Sequence, residues 1–386
     1  MDPQNISVVG RPFLGALLAA AVGVFAASWL MRPRIIRWAI RGCALLIVVV
    51  FAAACVNSYY DYLPTLAAVM GRRAVDQMSE ARFRQLEAAS AAAGVHYAMG
   101  RSGRIAAGLP VAPALTRGVV IDFNMPGVYS GFNARKGQVY LPPAWFRYPR
   151  PHLPVIELLH GSPGEPADWT RAAYADVTAD KYAALHDGFA PIIVMPDVNG
   201  SWWGDSECVN GLRGNVDTYL TYDVPAAIIA RFSADPFGRG WAVAGLSEGG
   251  TCALMLALRH PDDFAAAADF SGDEYPSTAG GYTKLFGGTP APAARVEQTY
   301  DPRSLIASWG HRPGPALWIS IGRNDQWRRL YGFARFAMRH GFSVNFVTLA
   351  GKHDFRVWTK SFNESLGWMV AKISSEVSIP SLDRRA

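Results

Sequence analysis

Gly245-Leu246-Ser247-Glu248-Gly249 decides how the rest of this chain is read. The pentapeptide matches G-x-S-x-G, and its flanks are what that pattern needs. Residues 241–244, Trp-Ala-Val-Ala, form a short apolar run that reads as a buried strand. Residues 250–260, rich in Ala, Leu and Met and closed by Pro261, read as a helix. A serine on so sharp a strand-to-helix turn is held in a strained backbone conformation with its hydroxyl exposed. Gly245 and Gly249 are small enough to let strand and helix approach. A plain glycine-rich turn would carry the same five letters, so the partners found elsewhere in the chain matter.

Outward from that turn, apolar strands alternate with helices. Strands are read at 119–123, 138–141, 154–159, 191–195, 264–270, 316–321 and 343–349, and helices at 166–185, 225–232, 326–339 and 354–371. This alternation predicts an α/β fold with a mostly parallel sheet covered on both faces. No internal repeat is visible.

An unassisted serine hydroxyl is a poor nucleophile at neutral pH. It needs a base to take its proton and an acid to orient that base. For a serine on a strand–turn–helix, acid and histidine follow in that order along the chain. Asp325, in Gly322-Arg323-Asn324-Asp325, stands just past strand 316–321, at the edge where open α/β sheets collect catalytic groups. A helix N-cap for the segment from Gln326 would explain the same residue, and Asp273 and Glu274, after strand 264–270, are the alternative acids. His353, on the loop after the next strand, is the expected base. His340, before Gly341, reads as a helix C-cap. His260 ends the helix after Ser247, and His311 precedes the acid strand. Two backbone N–H groups must also meet the developing oxyanion. Glu248 is expected to give one and the loop His160-Gly161-Ser162-Pro163-Gly164 the other. Pro163 has no N–H, so Ser162 is the preferred donor and Gly161 the next, with His160 bracing the loop.

The chain has 386 residues, half of them hydrophobic, which suits one α/β domain with appendages. Its net charge of +6 is modest, and no dense Lys/Arg run interleaved with aromatics points to nucleic acid. No Cys-x-x-Cys, His-x-x-x-His or acidic calcium loop is present, so neither a metal nor a cofactor is expected.

Residues 12–31 and 42–60 are uncharged and apolar, each near the roughly 20 residues that cross a bilayer as a helix. Arg32, Arg34, Arg37 and Arg41 lie between them. The positive-inside rule makes that loop cytoplasmic and places both the N-terminus and everything after Tyr60 outside. A lipoprotein signal ending at Cys55 is the rival; it is disfavoured by Ala52 three residues earlier and by the preceding span. The expected domains are a two-helix membrane anchor (1–60), a juxtamembrane helical stalk (61–117) with a helix at 76–93, a catalytic domain (118–375) and a tail (376–386). Arg72, Arg73, Arg82 and Arg84 would rest on anionic headgroups or on a solvated stalk. Cys43 and Cys55 read as packing residues of the second span. Cys208 and Cys252 belong to the outer domain, where disulfides persist, and form either a bridge or two buried thiols.

Taken together, Leu158-Leu159-His160-Gly161, residues 217–221 (Asp-Thr-Tyr-Leu-Thr), Gly245-Leu246-Ser247-Glu248-Gly249-Gly250, His260-Pro261, Phe270-Ser271-Gly272-Asp273 and His353 with Trp358 occur in an order that resembles the esterase D / antigen 85 family of α/β-hydrolases, and its membrane-anchored bacterial members in particular. The resemblance covers roughly 118–371. It implies the α/β-hydrolase fold and a serine carboxylic-ester hydrolase or acyltransferase in a bacterial cell membrane, with Ser247 and His353 in their family roles. The acid varies within the group. Antigen 85 relatives move long acyl chains between envelope glycolipids, whereas esterase D relatives hydrolyse small thioesters. Residues 199–204 and 280–294 read as long Gly/aromatic loops near the site, forming an acyl groove, a membrane contact or plain surface. A lipid or glycolipid acyl ester is the expected substrate, and a non-catalytic envelope-binding protein the reading from another class.

Overall fold

The computed structural model describes residues 7–70, 77–100, 115–310 and 313–373, in two compact units. Arg72, Arg73, His311 and the 376–386 tail, named above, lie outside the described residues.

The first unit is built on α1 (Arg11–Ala27), extended by a tight turn at Ser28–Leu30, and α2 (Arg34–Tyr60), which pack side by side. Both are long and apolar enough to cross a membrane, with mean hydropathies of 2.1 and 2.5 over their most apolar windows. Arg34, Arg37 and Arg41 do not lie on a loop between these helices. They occupy the opening turns of α2, which starts directly after Pro33. The reason is local satisfaction of the cations: the Arg37 guanidinium donates to the Met31 carbonyl (2.9 Å), and that of Arg41 lies 5.3 Å from the ring centres of Trp29 and Trp38. Cys43 is exposed, Cys55 half-buried, and both are free.

The second unit is organised by an eight-stranded sheet: β1 (Val119–Phe123), β2 (Gly137–Leu141), β3 (Val155–Leu159), β4 (Ile192–Met195), β5 (Trp241–Leu246), β6 (Ala266–Phe270), β7 (Ala316–Gly322) and β8 (Val344–Leu349). The spatial order is β1-β2-β4-β3-β5-β6-β7-β8. β2 runs antiparallel to both neighbours, and every other pairing is parallel. The strands are apolar runs because both sheet faces are covered. Register aligns Val139, Val194, Glu157, Val243, Ala267 and Leu317 across the sheet. All but Glu157 belong to the main core, together with Leu220, Ile228, Leu254 and Met255.

Five helices matter for the site and its support: α3 (Glu80–Gly100), α4 (Ala175–Leu185), α5 (Val224–Phe232), α6 (Glu248–Arg259) and α7 (Trp327–Arg339). Helix α3 is not a free solvated rod over its first three turns. Phe83, 2% exposed, stacks on Trp145, and the Glu87 carboxylate takes bonds from Arg231 (2.7 Å) and Arg150 (3.2 Å). Just before the helix, Met78 N donates to Val120 O (2.9 Å). Arg84 is paired with Glu80 on the exposed side.

Two further stretches differ from expectation. Residues 166–185 form two helices, Asp168–Arg171 and α4, because Tyr174 takes a left-handed conformation (φ 51°) at the break. Residues 280–294 are not one long loop but include the helix Tyr282–Phe286 and the start of the helix Pro290–Gln298.

Candidate active site

Because β3, β5, β6, β7 and β8 are parallel, their carboxyl ends share one edge. The loops that leave that edge carry His160–Gly164, Ser247, Asp325 and His353. Brought together there, residues more than a hundred positions apart in the chain become neighbours.

Ser247 sits between β5 and α6 with φ 54° and ψ −125°, a conformation that costs on the order of 1–3 kcal/mol for a residue with a side chain. Several contacts hold it there. Its N–H donates to Phe270 O (3.0 Å), and its carbonyl accepts from Gly250 N (2.8 Å). The two flanking glycines are required by contact: a β-carbon on Gly245 would lie 1.9 Å from Gly249 O, and one on Gly249 would lie 2.2 Å from Leu159 O. The strand–helix approach therefore leaves no room for any larger residue.

From Ser247 Oγ it is 2.9 Å to His353 Nε2, and from His353 Nδ1 it is 2.9 Å to Asp325 Oδ2. Trp358 meets the imidazole edge-on at 5.0 Å between ring centres and limits its rotation. Asp325 is not the N-cap of α7; that position is Gln326, whose N–H donates to Asp325 Oδ1 (2.7 Å). Burial pushes the Asp325 carboxyl up, but the bond and charge of His353 and the Gln326 N–H outweigh it and hold it below its ordinary value. Of the alternative acids, Glu274 takes two bonds from the Arg303 guanidinium (2.6 and 2.9 Å), and the His353 bond goes to Asp325 rather than to Asp273. His260 pairs with Asp217 (2.6 Å), and His340 is the C-cap of α7, its Nδ1 2.9 Å from Phe336 O.

Glu248 opens α6, so its N–H is one of the first-turn groups that have no partner within a helix. Gly161 packs directly on Ser247, and the Ser162 hydroxyl donates to Gly204 O (2.5 Å). His160 is fully buried, with Nδ1 2.8 Å from Gly161 O and Nε2 3.1 Å from Asp197 Oδ1. Asp197 in turn accepts from Arg135 through N (2.7 Å) and Nη2 (2.6 Å). Burial pushes Asp197 up, yet His160 and Arg135 hold its carboxyl well below the usual carboxylate range. Asp197 and Arg135 were not singled out from the sequence. Asp197 carries the same positional signal as Asp325, since it lies just past the end of a parallel strand. Cys208 and Cys252 are joined by a disulfide that ties the loop after β4 to α6.

Comparison with known proteins agrees with this architecture. The family model described as Putative esterase matches residues 133–369, more than half of the chain. An uncharacterized protein of Corynebacterium glutamicum is 35% identical over 249 residues, covering 63% of this chain and 58% of that protein, so the match spans little more than half of the relative. The S-formylglutathione hydrolase from Agrobacterium tumefaciens has the same fold, with TM-score 0.54, 20% identity, and coverage of 67% of this chain and 97% of that one. MPT51 of Mycobacterium tuberculosis does too, with TM-score 0.50, 20% identity, and coverage of 65% and 98%. With its eight-stranded α/β-hydrolase sheet and a family match across the loops that carry Ser247, Asp325 and His353, this chain belongs to the Putative esterase family.

Proposed function

We propose that the chain is a membrane-tethered serine carboxylic-ester hydrolase that works through an acyl-enzyme on Ser247, with lipid or cell-envelope acyl esters as its substrates. The strongest support is the continuous row of contacts from Asp325 through His353 to Ser247, each 2.9 Å long. His353 Nδ1–H donates to Asp325, which leaves the Nε2 lone pair facing the serine hydroxyl. As Oγ bonds to the ester carbonyl carbon, its proton passes to Nε2. The carbonyl oxygen, now negative, takes the N–H of Glu248 and that of Ser162 or Gly161. The ester C–O bond then breaks, and the leaving alcohol carries away the proton from Nε2. A water molecule repeats the sequence on the acyl-enzyme and restores Ser247.

The two apolar helices support the tether, which would raise the effective concentration of membrane esters at the site. The arginines at the start of α2 support an outer location for the second unit. Acyl transfer is the second reading, supported by the antigen 85-type sequence resemblance: a sugar or lipid hydroxyl then replaces water at the last step. Addition of such an acceptor separates the two, since a transferase gives acylated acceptor in preference to free acid.

Hydrolysis of a short p-nitrophenyl ester by the full-length protein in detergent tests the central assignment. Ser247→Ala should lower the rate by roughly 10⁴–10⁶. A variant that keeps more than a tenth of the activity rules out Ser247 as nucleophile, and an inert native protein points instead to a non-catalytic envelope-binding role.

A further inference from the structure

Given Ser247 as nucleophile, the donors that meet the oxyanion come from two separate parts of the chain: Glu248 at the start of α6, and Gly161 or Ser162 after β3. The loop 197–208, which follows β4, is bonded to both.

On the side of the 160–164 loop, Gly164 N donates to Trp202 O (3.0 Å) and Ser162 Oγ to Gly204 O (2.5 Å), while Asp197 meets His160 (3.1 Å). On the side of α6, the Glu248 side chain takes both remaining ends. Its Oε2 accepts from Asn199 Nδ2 (2.7 Å) and its Oε1 from Glu207 N (2.9 Å). One turn further along, Cys252 is bonded to Cys208. Residues 248 and 252 are four apart and so share a helix face, presenting carboxylate and sulfur to the loop together. The loop is cross-braced between these anchors. Asn199 Oδ1 accepts from Ser206 N (2.7 Å), Ser206 Oγ donates to Val198 O (2.6 Å), and Cys208 N donates back to Ser206 Oγ (3.0 Å).

We propose that the Glu248 side chain is a positioning residue for acyl transfer: through loop 197–208 it sets the spacing between its own N–H and those of Gly161 and Ser162, so that both reach one oxyanion. Both of its oxygens act as acceptors, a role the carboxylate fills and an amide cannot, because glutamine would turn a donor toward Asn199 or Glu207. Among the described residues, the charged and titratable groups that act on Glu248 include Glu207 and Asp205 on the loop, Asp205 being paired with Arg213 (3.1 Å), and His160. Burial pushes the Glu248 carboxyl up to about 7, with Asn199 opposing and Asp205 adding to the shift. Burial and the charges of Glu248 and Asp205 also push the Glu207 carboxyl up. Protonation would put a donor on one of these oxygens, so the two-acceptor form is the one favoured as pH rises.

The test is kcat and KM for a p-nitrophenyl ester across pH 5–9, with active sites counted by fluorophosphonate titration, on the full-length protein and its Glu248→Gln, Asn199→Ala and double variants. Glu248→Gln should lower kcat per titrated site about tenfold, as expected of a small displacement of catalytic donors, with KM changed less than twofold. Asn199→Ala should act in the same direction, and the double variant should add little, because both changes release the same loop. As pH falls, native kcat should drop by up to about tenfold more than that of Glu248→Gln, because protonating Glu248 releases the same donors. If Glu248→Gln does not fold, Asn199→Ala carries the same expectation for kcat. A kcat per site within twofold of native and an unchanged pH profile, with Ser247→Ala inactive, overturn the positioning role alone. Turnover retained by Ser247→Ala overturns the nucleophile assignment and the positioning role with it.

Discussion

A β-carbon placed on Gly161 would lie 2.9 Å from the Cβ of Ser247 and 3.2 Å from the carbonyl oxygen of Leu246. The 160–164 loop and the Ser247 turn therefore approach with no spare volume for a side chain at Gly161. Gly161→Ala must push the loop away from the serine. Because one lost oxyanion donor is worth about 10²–10³ in rate, the variant should lose on the order of a hundredfold in kcat while still folding. Ester turnover together with a thermal melt checks this; native kcat in a folded Gly161→Ala would show that the loop supplies no donor.

Asp325→Asn should leave the contacts nearly isosteric but favour the wrong imidazole tautomer, with an expected loss of about 10⁴ in kcat. The same residue has a pH signature. Its folded carboxyl is held below the ordinary aspartate value of about 3.9. Its contribution to stability is then present above that value and is lost as pH falls through the lower folded value. Any excess in Tm of the native protein over Asp325→Asn should accordingly shrink as pH is lowered below about 4. A gap that stays constant down to the acid transition would contradict this.

Glu157 gives the opposite sign. It is fully buried in a row of Val and Ala side chains, neither carboxyl oxygen has a hydrogen-bond partner among the described residues, and burial pushes its carboxyl well above the usual range. Stability carried by the protonated form is complete below the unfolded value of about 4.3 and falls as pH rises through the folded value. Compared with Glu157→Gln, the native protein should lose ground as pH rises from 4 to 8, by on the order of a few degrees in Tm. Melts across that range read the slope directly, and a pH-independent difference would mean that Glu157 is not held neutral.

Much of this architecture could be read from the chain because the relevant signals are local. A buried parallel strand is a short β-branched or apolar run, and the strands found at Val119–Phe123 and Ala316–Gly322 differ from the sequence reading by no more than one residue. Ser247, Asp325 and His353 each follow such a run, and the G-x-S-x-G pattern with the Ser, acid, His order along the chain completed their nomination. The antiparallel direction of β2 was not legible, since a run such as Gly137–Leu141 has no polarity in its composition. The break at Tyr174 was hidden for a related reason: nothing in an Ala-rich segment marks one residue for a left-handed turn. The Glu248 carboxylate was invisible in a different way. Its two partners lie 49 and 41 residues away, and only the folded loop brings them to it. Likewise, the basic residues at the start of α2 looked like a loop because charge usually marks one, whereas on the helix Met31 O satisfies Arg37 and two indole rings lie beside Arg41.

The most direct test of the central claim is peptide mass spectrometry of the full-length protein after brief exposure to a fluorophosphonate. The expected result is a single adduct on the peptide that contains Ser247, absent in Ser247→Ala and formed far more slowly in His353→Ala. An adduct on another residue, or labelling at the native rate without His353, would contradict it.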